Sequence, residues 1–459
     1  MSWIHNALIL PLFEPERHRG LAKRLRKLEH FESLSRDEQL GIQENSVKKI
    51  LQHAYQTTPY YRRLFDDAGF RPRGWKSGHP LPIPALTRDL VRLNPDNLRS
   101  RAFPPEMLRG ATTGGTTSAP VQIWRDVEAL QSKTALQFHL NRKGGFDQGT
   151  RVLNIWGAER DLALNPSWKW KLYEQGLLRR HNAGAGQLNQ EVLESFAKKL
   201  NRHRPRIIFG YAGTIHHFAQ YLQSQGKPFH KPRRIIVTAE ATTAKEREEM
   251  EHVFACQVTE HYGSRDIGMV AAQCDEGKRL HFHPAACYLE LVYSGQTADG
   301  PIYQLFVTDL LNSGMPMIRY DTADCILLED KPCVCGSWFP SVKAILGRTL
   351  DNFMLSDGSV VPGIAVTAAI AGVKEGFRQV MQLQVIQKNL DHMHLRYVAN
   401  GDSNVIQKEL GRVRVEIEKL LRAEVRWTAE RVPEILRERS GKLRFCISEI
   451  SAPKPQAAV

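Results

Sequence analysis

In the middle of the chain, short apolar runs alternate with helical patterns. "RVLNIW" ends on Trp156 before Gly157, and "RIIFGYAG" is expected to stop at Gly210. "RRIIVTAE" stops at Thr238 and Glu240, and "CQVTEHYGS" at Tyr262 and Gly263. Between several of them lie helix-length stretches such as "TAKEREEMEHVF". Strands separated by helices in this way predict an α/β sheet. Ligands in such sheets bind beyond the carboxyl ends of the strands. That rule places Trp156, Tyr211, Glu240 and Tyr262 near one cleft, although strand-end aromatics also serve simply to cap a core.

The 459 residues exceed one compact domain. The first hundred or so read as mostly helical, with Pro-rich connections at "HPLPIPALT". After Gly347 the texture changes. "MQLQV" alternates Met381, Leu383 and Val385, and "HMHLRYV" alternates Met393, Leu395 and Tyr397. Before "EVRWTAE" comes a helix opened by Ser403, with Ile406, Leu410, Val413, Ile417 and Leu420 on one face. Antiparallel strands with a helix make a small α+β domain. The boundary is set at "GRTLDN", giving a large α/β domain over 1–346 and a small domain over 347–459.

No apolar run approaches the roughly 18 residues of a membrane span. The start, "MSWIHNALILPLFEPERHRG", lacks a basic leader and reads as mature protein. Seven cysteines, two of them in C-x-C, do not make a disulfide framework, so a reduced, cytoplasmic protein is expected. Assembly as a homodimer is compatible with this reading. The net charge is +14, and part of it lies in "ERHRGLAKRLRKLEH". There Leu21, Leu25 and Leu28 share a stripe, read as docking on the protein itself rather than on a membrane. No recognition motif supports nucleic acid as a partner. Anionic small substrates such as nucleotides and coenzyme A suit the charge.

The stretch "ATTGGTTSAP" is all small, hydroxylated or apolar side chains, which let backbone amides approach a ligand closely. It is not a P-loop, because G-x-x-x-x-G-K-[ST] is absent. Downstream follow "EHYGSRDIG", "MIRYDTADCI", "ILGRTLDN" and "SGKLRF". In that order these resemble the core motifs of the acyl-adenylate-forming superfamily. The likeness is strongest to the phenylacetate–CoA ligase branch and the related adenylating proteins of capsular polysaccharide biosynthesis. "HAYQTTPYYRRLFDDAGF" and "LPIPALTRDLVR" resemble that branch's N-terminal region.

The resemblance implies ATP, Mg²⁺ and coenzyme A as reactants and cofactors, with a carboxylic acid as substrate. Thr113, Gly114, Gly115, Thr116, Thr117 and Ser118 would wrap the β- and γ-phosphates. Tyr262, with Gly263 beside it, would lie against the adenine, and Glu240 near the adenine and acyl pockets. Asp266 would hold Mg²⁺, Asp324 the ribose hydroxyls, and Arg348 the ribose and phosphate side. Lys442 would bridge the reacting carboxylate and the α-phosphate. Trp156, Tyr211 and Ala239 would wall the acyl pocket. The small domain would swing about a hinge at Arg348–Asp351, between adenylate formation and acyl transfer. Three positions depart from the family pattern: Ser118 for glycine, Asp266 for glutamate and Ala323 for glycine. The leading expectation is an acid–coenzyme A ligase. Alternatives are an adenylating enzyme that serves an amine or carrier thiol, and a catalytically degenerate binding or scaffold relative.

"CDEGKRLHFH" offers Cys274, His281 and His283, and "KPCVCG" offers Cys333 and Cys335. Thiolates with imidazole are zinc chemistry. Cys274, His281, Cys333 and Cys335 are expected to form a closed structural Zn²⁺ site. Cys256, Cys287, Cys325 and Cys446 read as small core residues.

Overall fold

The computed structural model describes residues 15–113, 121–147, 149–156, 173–184, 188–240, 242–297, 300–329, 331–348, 353–356, 360–361, 366, 369–370, 373, 377–435 and 446–450. The chain divides into two compact units. One comprises Met1–Leu291, Leu305–Thr322 and Glu329–Lys343; the other comprises Val292–Gln304, Ala323–Leu328 and Ala344–Val459.

The first unit opens with helices α1 (Leu21–Ser33), α2 (Arg36–Thr57) and α3 (Pro59–Asp67). Ser35 and Glu38 form a reciprocal cap on α2, which satisfies backbone donors that the helix itself cannot. A hairpin follows, in which β1 (Leu108–Thr113) pairs antiparallel with β2 (Val121–Asp126), Thr113 opposite Val121. Helix α4 (Val127–Lys143) starts at once. Asp126 caps it through Ala129 N at 2.8 Å, and its other oxygen accepts from Gly314 N at 2.8 Å and Ser313 N at 3.0 Å. One carboxylate thus fastens the hairpin, α4 and a distant loop. Leu21 and Leu25 of α1 pack on Ala135, Phe138 and Leu178, with Leu28 beside them. The leucine stripe therefore docks on the protein itself.

The sheet of this unit has the order β4-β3-β5-β6-β7-β8-β9. Its strands are β3 (Val152–Trp156), β4 (Arg180–Gly184), β5 (Ile207–Tyr211), β6 (Arg234–Thr238), β7 (Gln257–Ser264), β8 (Gly268–Gln273) and β9 (Leu280–Phe282). β4 to β7 run parallel, whereas β8 and β9 are antiparallel to their neighbours. Both faces are covered. Leu153, Ile155, Ile208, Ile235 and Val237 meet α5 (Gln190–His203), α6 (Ala212–Gln225) and α7 (Ala244–Phe254) through Phe196, Ile215, Phe218, Met250 and Phe254. The alternate residues Val152, Ile207, Phe209 and Ile236 face Phe146 on the other side. Near-continuous apolar strands are what two covered faces require.

Gly210 does not end its strand, which runs on to Tyr211. A Cβ at Gly210 would sit 2.0 Å from the Ile155 carbonyl oxygen, so the glycine marks a close approach between β5 and β3. β7 likewise passes beyond Gly263 to Ser264, with a register shift between Tyr262 and Gly263.

Strands β10 (Cys287–Thr297), β11 (Gly300–Asp309), β12 (Tyr320–Leu328) and β13 (Ser341–Arg348) each have residues in both units. In the second unit β14 (Phe353–Met354) pairs antiparallel with β15 (Val360–Val361). A separate sheet has the order β18-β17-β16-β19, from β16 (Val380–Asn389), β17 (His392–Ala399), β18 (Arg426–Arg431) and β19 (Cys446–Ser448). β16 and β17 are antiparallel, as expected, but β18 and β19 join in parallel. Helix α8 (Ser403–Leu421) makes the crossover that a parallel β17–β18 pair needs.

Three sequence expectations shift here. Asp402, not Ser403, caps α8, accepting from Asn404 N and Val405 N. Leu421 rather than Leu420 completes the buried stripe, because a helix of 3.6 residues per turn brings it under Ile417. Met381 is 49% exposed, since a bulge between Val380 and Gln382 turns it outward and Val380 inward. Buried Glu409 of α8 accepts from Arg378 N at 2.6 Å and Val380 N at 2.9 Å, which anchors the start of β16. Cys287, Cys325 and Cys446 are buried, and Cys256 packs partly buried against the core.

Candidate active site

The expected cleft residues of the first unit lie at the carboxyl ends of parallel strands. Trp156 ends β3 and Tyr211 ends β5; their rings meet edge-on with centroids 5.4 Å apart. Trp156 also packs edge-on against Phe209 at 5.2 Å, so its ring closes one core as well as bordering the cleft. Ala239, just beyond β6, has φ 71°, a left-handed conformation that costs a residue with a Cβ about 1–2 kcal/mol. Glu240 Oε2 accepts from Gly213 N at 2.8 Å, capping the first turn of α6. That bond ties the end of β6 to the helix that follows β5. Tyr262 is buried, its ring 5.5 Å from Phe282.

The turn after β7 carries Arg265 and Asp266. Ser264 Oγ accepts from Asp266 N and Ile267 N, which shapes the turn. Arg265 Nη1 donates to the Thr112 carbonyl at 3.2 Å, and Arg125 of β2 donates to the Arg265 carbonyl. The turn is thus bound to the hairpin of β1 and β2. Asp266 is 6% exposed. Its Oδ2 accepts from the Tyr320 hydroxyl at 2.8 Å and lies 4.0 Å from Arg88 Nη1. Its Oδ1 is buried without a hydrogen-bond partner. A buried carboxylate oxygen with a free lone pair suits a hard cation. Tyr320 and Arg88 were not singled out in the sequence, though each sits inside a quoted motif.

Deeper in, Lys133 of α4 pairs with buried Asp309 at 2.6 Å. Burial pulls the Lys133 pKa down against the opposing pull of Asp309. Glu260, beside His261 and Tyr262 on β7, has its carboxyl raised to about 7 by burial, with Arg247 opposing. A raised carboxyl stabilises the fold in its protonated form. That contribution is complete below about pH 4.5 and is lost as pH rises through 7. Glu260→Gln is therefore expected to stabilise the protein by about 2–3 kcal/mol at pH 8 and hardly at all at pH 5, read from denaturant melts at both pH values. An equal effect at both would overturn the assignment.

Asp324 lies half-buried on β12 in the second unit. Its neighbour Ala323 has φ 57° and keeps the left-handed backbone for which glycine is the usual choice. Arg348 ends β13 in the same unit. Thr113 ends β1. Gly114, Gly115, Thr116, Thr117, Ser118, Asp351 and Lys442 lie outside the described residues.

The candidate zinc ligands, far apart in sequence, converge. Cys274, His281, Cys333 and Cys335 place one ligand atom each within 4.8 Å of all the others. Cys274 Sγ and Cys333 Sγ are 3.5 Å apart, and Cys335 Sγ is 3.4 Å from His281 Nε2. Tetrahedral zinc, with bonds of about 2.0–2.3 Å, separates its ligands by about 3.3–3.8 Å, so the set fits. His281 Nδ1 donates to the Phe339 carbonyl at 3.2 Å, leaving Nε2 to face the thiols. Gly277 completes the cradle: a Cβ there would sit 2.3 Å from Cys333 Sγ. His283 takes no part. It is buried beside His139 and Glu32, a cluster that the spacing did not reveal. Burial opposes ionisation of Glu32, yet the His139 hydrogen bond and the His139 and Lys143 charges hold its carboxyl down at about 2.

Residues 353–449 match the model of the CapK C-terminal domain. Protein CapK of Staphylococcus aureus is 24% identical over 375 residues, 80% of each chain. A phenylacetate–coenzyme A ligase of Thermus thermophilus is 26% identical over 366 residues, covering 75% of this chain and 78% of that one. Over most of its length the chain is thus similar to proteins of the phenylacetate–CoA ligase-like branch of the acyl-adenylate-forming superfamily. A crystal structure of 2-hydroxyisobutyryl-CoA ligase in its postadenylation state has the same fold, with a TM-score of 0.70 at 15% identity and 92% of both chains covered. The chain thus has the fold of that ligase, and no helix among its described residues is long and apolar enough to cross a membrane.

Proposed function

We propose that the protein activates a carboxylic acid with ATP and passes the acyl group to coenzyme A. The observation that carries this reading is the junction of the Asp266 turn with the hairpin. Arg265 holds the turn to Thr112, and the free Oδ1 of Asp266 lies buried beside it. Thr113 and residues 114–118 would wrap the phosphates. Asp266 would hold Mg²⁺, which when bound neutralises phosphate charge. Tyr262 would support the adenine, Asp324 and Arg348 the ribose, and Trp156, Tyr211 and Ala239 the acid, with Glu240 fixing their strand ends.

In the first half-reaction a carboxylate oxygen attacks the α-phosphorus, the bond to the β-phosphate bridging oxygen breaks, and pyrophosphate departs. The ammonium of Lys442 meets the negative charge that grows on the phosphoryl oxygens in that transition state. In the second, the coenzyme A sulfur attacks the acyl carbon and AMP leaves with the bonding pair. The domains would divide at 346/347, and motion about Arg348–Asp351 would separate the two steps.

Pyrophosphate release over a panel of acids, aromatic ones included, tests the reading, with coenzyme A added second. Absence of release with every acid, in protein that binds ATP, would favour a degenerate relative. ATP with Mg²⁺ at a hundred times its dissociation constant should stabilise the fold by about 2.7 kcal/mol. An unchanged melting temperature at millimolar ATP and Mg²⁺ would count against the nucleotide site. A second reading rests on the match of residues 353–449 to the CapK C-terminal domain: the same adenylate could be passed to an amine or a carrier thiol. Product formation with amines in place of coenzyme A would decide for it.

A further inference from the structure

The end of the parallel sheet opposite Trp156 and Tyr211 carries a row of arginines. Val152 is level with Arg180 and with Ile207, and Ile207 with Arg234. The residues one step earlier are Arg151, Arg179, Arg206 and Arg233, so each of β3 to β6 is preceded by an arginine at the same level. Backbone bonds lock the row: Arg206 N donates to the Arg151 carbonyl at 2.8 Å, Arg233 N to the Arg206 carbonyl at 2.8 Å, and Val152 N to the Arg179 carbonyl at 3.0 Å. With adjacent strands about 4.8 Å apart, the side chains leave the sheet as a comb about 15 Å long.

Arg151, Arg179 and Arg206, with Gly149 and Thr150, line a cavity of about 530 Å³. Among the described residues, none of the guanidinium groups of Arg151, Arg179, Arg206 and Arg233 has a hydrogen-bond or ion-pair partner, whereas Arg234, Arg247 and Arg319 are paired. Arg179 holds its place at φ 54°, which costs about 1–2 kcal/mol that glycine would avoid. Lys199 and Arg202 of α5 add positive charge near β4, whereas the two histidines beside them are held neutral. His181 and His203 stack 3.5 Å apart, and burial together with His203, Lys199 and Arg202 drives the His181 pKa down to about 4.

We propose that this cavity binds an oligophosphate, a chain of at least two linked phosphates, separately from the adenylation site. Guanidinium forks bind phosphate oxygens bidentately, and a row of them fits a chain better than a single tetrahedral anion. Free oligophosphate and the phosphate tail of a nucleotide share this chemistry.

Calorimetric titration of the full-length protein with sodium tripolyphosphate tests the proposal, with pyrophosphate, ATP and orthophosphate in parallel. Arg151→Gln/Arg206→Gln should weaken tripolyphosphate binding at least tenfold while leaving the melting temperature and pyrophosphate release unchanged. Thr116→Ala/Thr117→Ala should retain the arginine-dependent component, which separates it from the phosphate loop whatever the fate of the adenylation reading. Arg26→Gln/Lys27→Gln, which removes the same charge from α1, should have no effect. The proposal is overturned if that control weakens binding equally, if the cavity variant binds like wild type, or if orthophosphate binds as tightly as tripolyphosphate. Tripolyphosphate binding with none from ATP identifies the free chain as the ligand; matching affinities identify a nucleotide tail.

Discussion

Lys442→Ala should leave folding and ATP affinity nearly unchanged and slow adenylation by about 10²–10³-fold. A lysine on an exposed strand would tolerate the change with under about half a kcal/mol of stability and no loss of activity. A lysine that meets charge only as the α-phosphate is attacked acts in one half-reaction alone. Transfer to coenzyme A from a pre-made acyl-adenylate should therefore survive. Rapid-quench measurement of each half-reaction checks this. Normal adenylation by the variant, or equal loss of both steps in folded protein, would sink the assignment.

Purified protein should carry about one zinc per chain, and Cys335→Ser should lose it together with more than about 4 kcal/mol of stability. The reasoning is geometric. Cys274 and Cys333 Sγ lie 3.5 Å apart, far beyond the roughly 2.05 Å of a disulfide, and His281 presents Nε2 because Phe339 holds Nδ1. Without a cation, three thiol groups and an imidazole converge with little to hold them. Elemental analysis with thermal melts of both proteins is the check; metal-free protein of normal stability would end the idea. Because a site with four protein ligands is closed, zinc loss should act on folding before it acts on chemistry.

Much of the fold was legible because its signals are local. Apolar runs the length of a strand, each followed by a helix-length pattern, identified the α/β sheet. The alternation of Met393, Leu395 and Tyr397 identified a strand with one buried face, and those residues are buried in β17. Local signals failed where a neighbour in space decided the matter. Gly210 looks like a strand end in sequence, yet it exists to let Ile155 approach. Met381 fits an alternating pattern until a bulge turns it out. The parallel pairing of β18 follows from where α8 returns the chain, which no period in the strand records.

The candidate site divides in the same way. Residue types and their order within short motifs were determined by the sequence: a glycine- and threonine-rich run, an aromatic and an acid in "EHYGSRD", an aspartate in "YDTAD", and cysteines and histidines of zinc character. Tertiary structure alone decided which of these meet. It joined the Asp266 turn to the hairpin through Arg265, gave Asp266 the partners Tyr320 and Arg88, brought Cys333 and Cys335 to Cys274 and His281, and sent His283 to Glu32 and His139. The row of arginines is the clearest case. Each is unremarkable in its own segment, and only the register of parallel strands, fixed by backbone hydrogen bonds between residues far apart in the chain, sets them side by side.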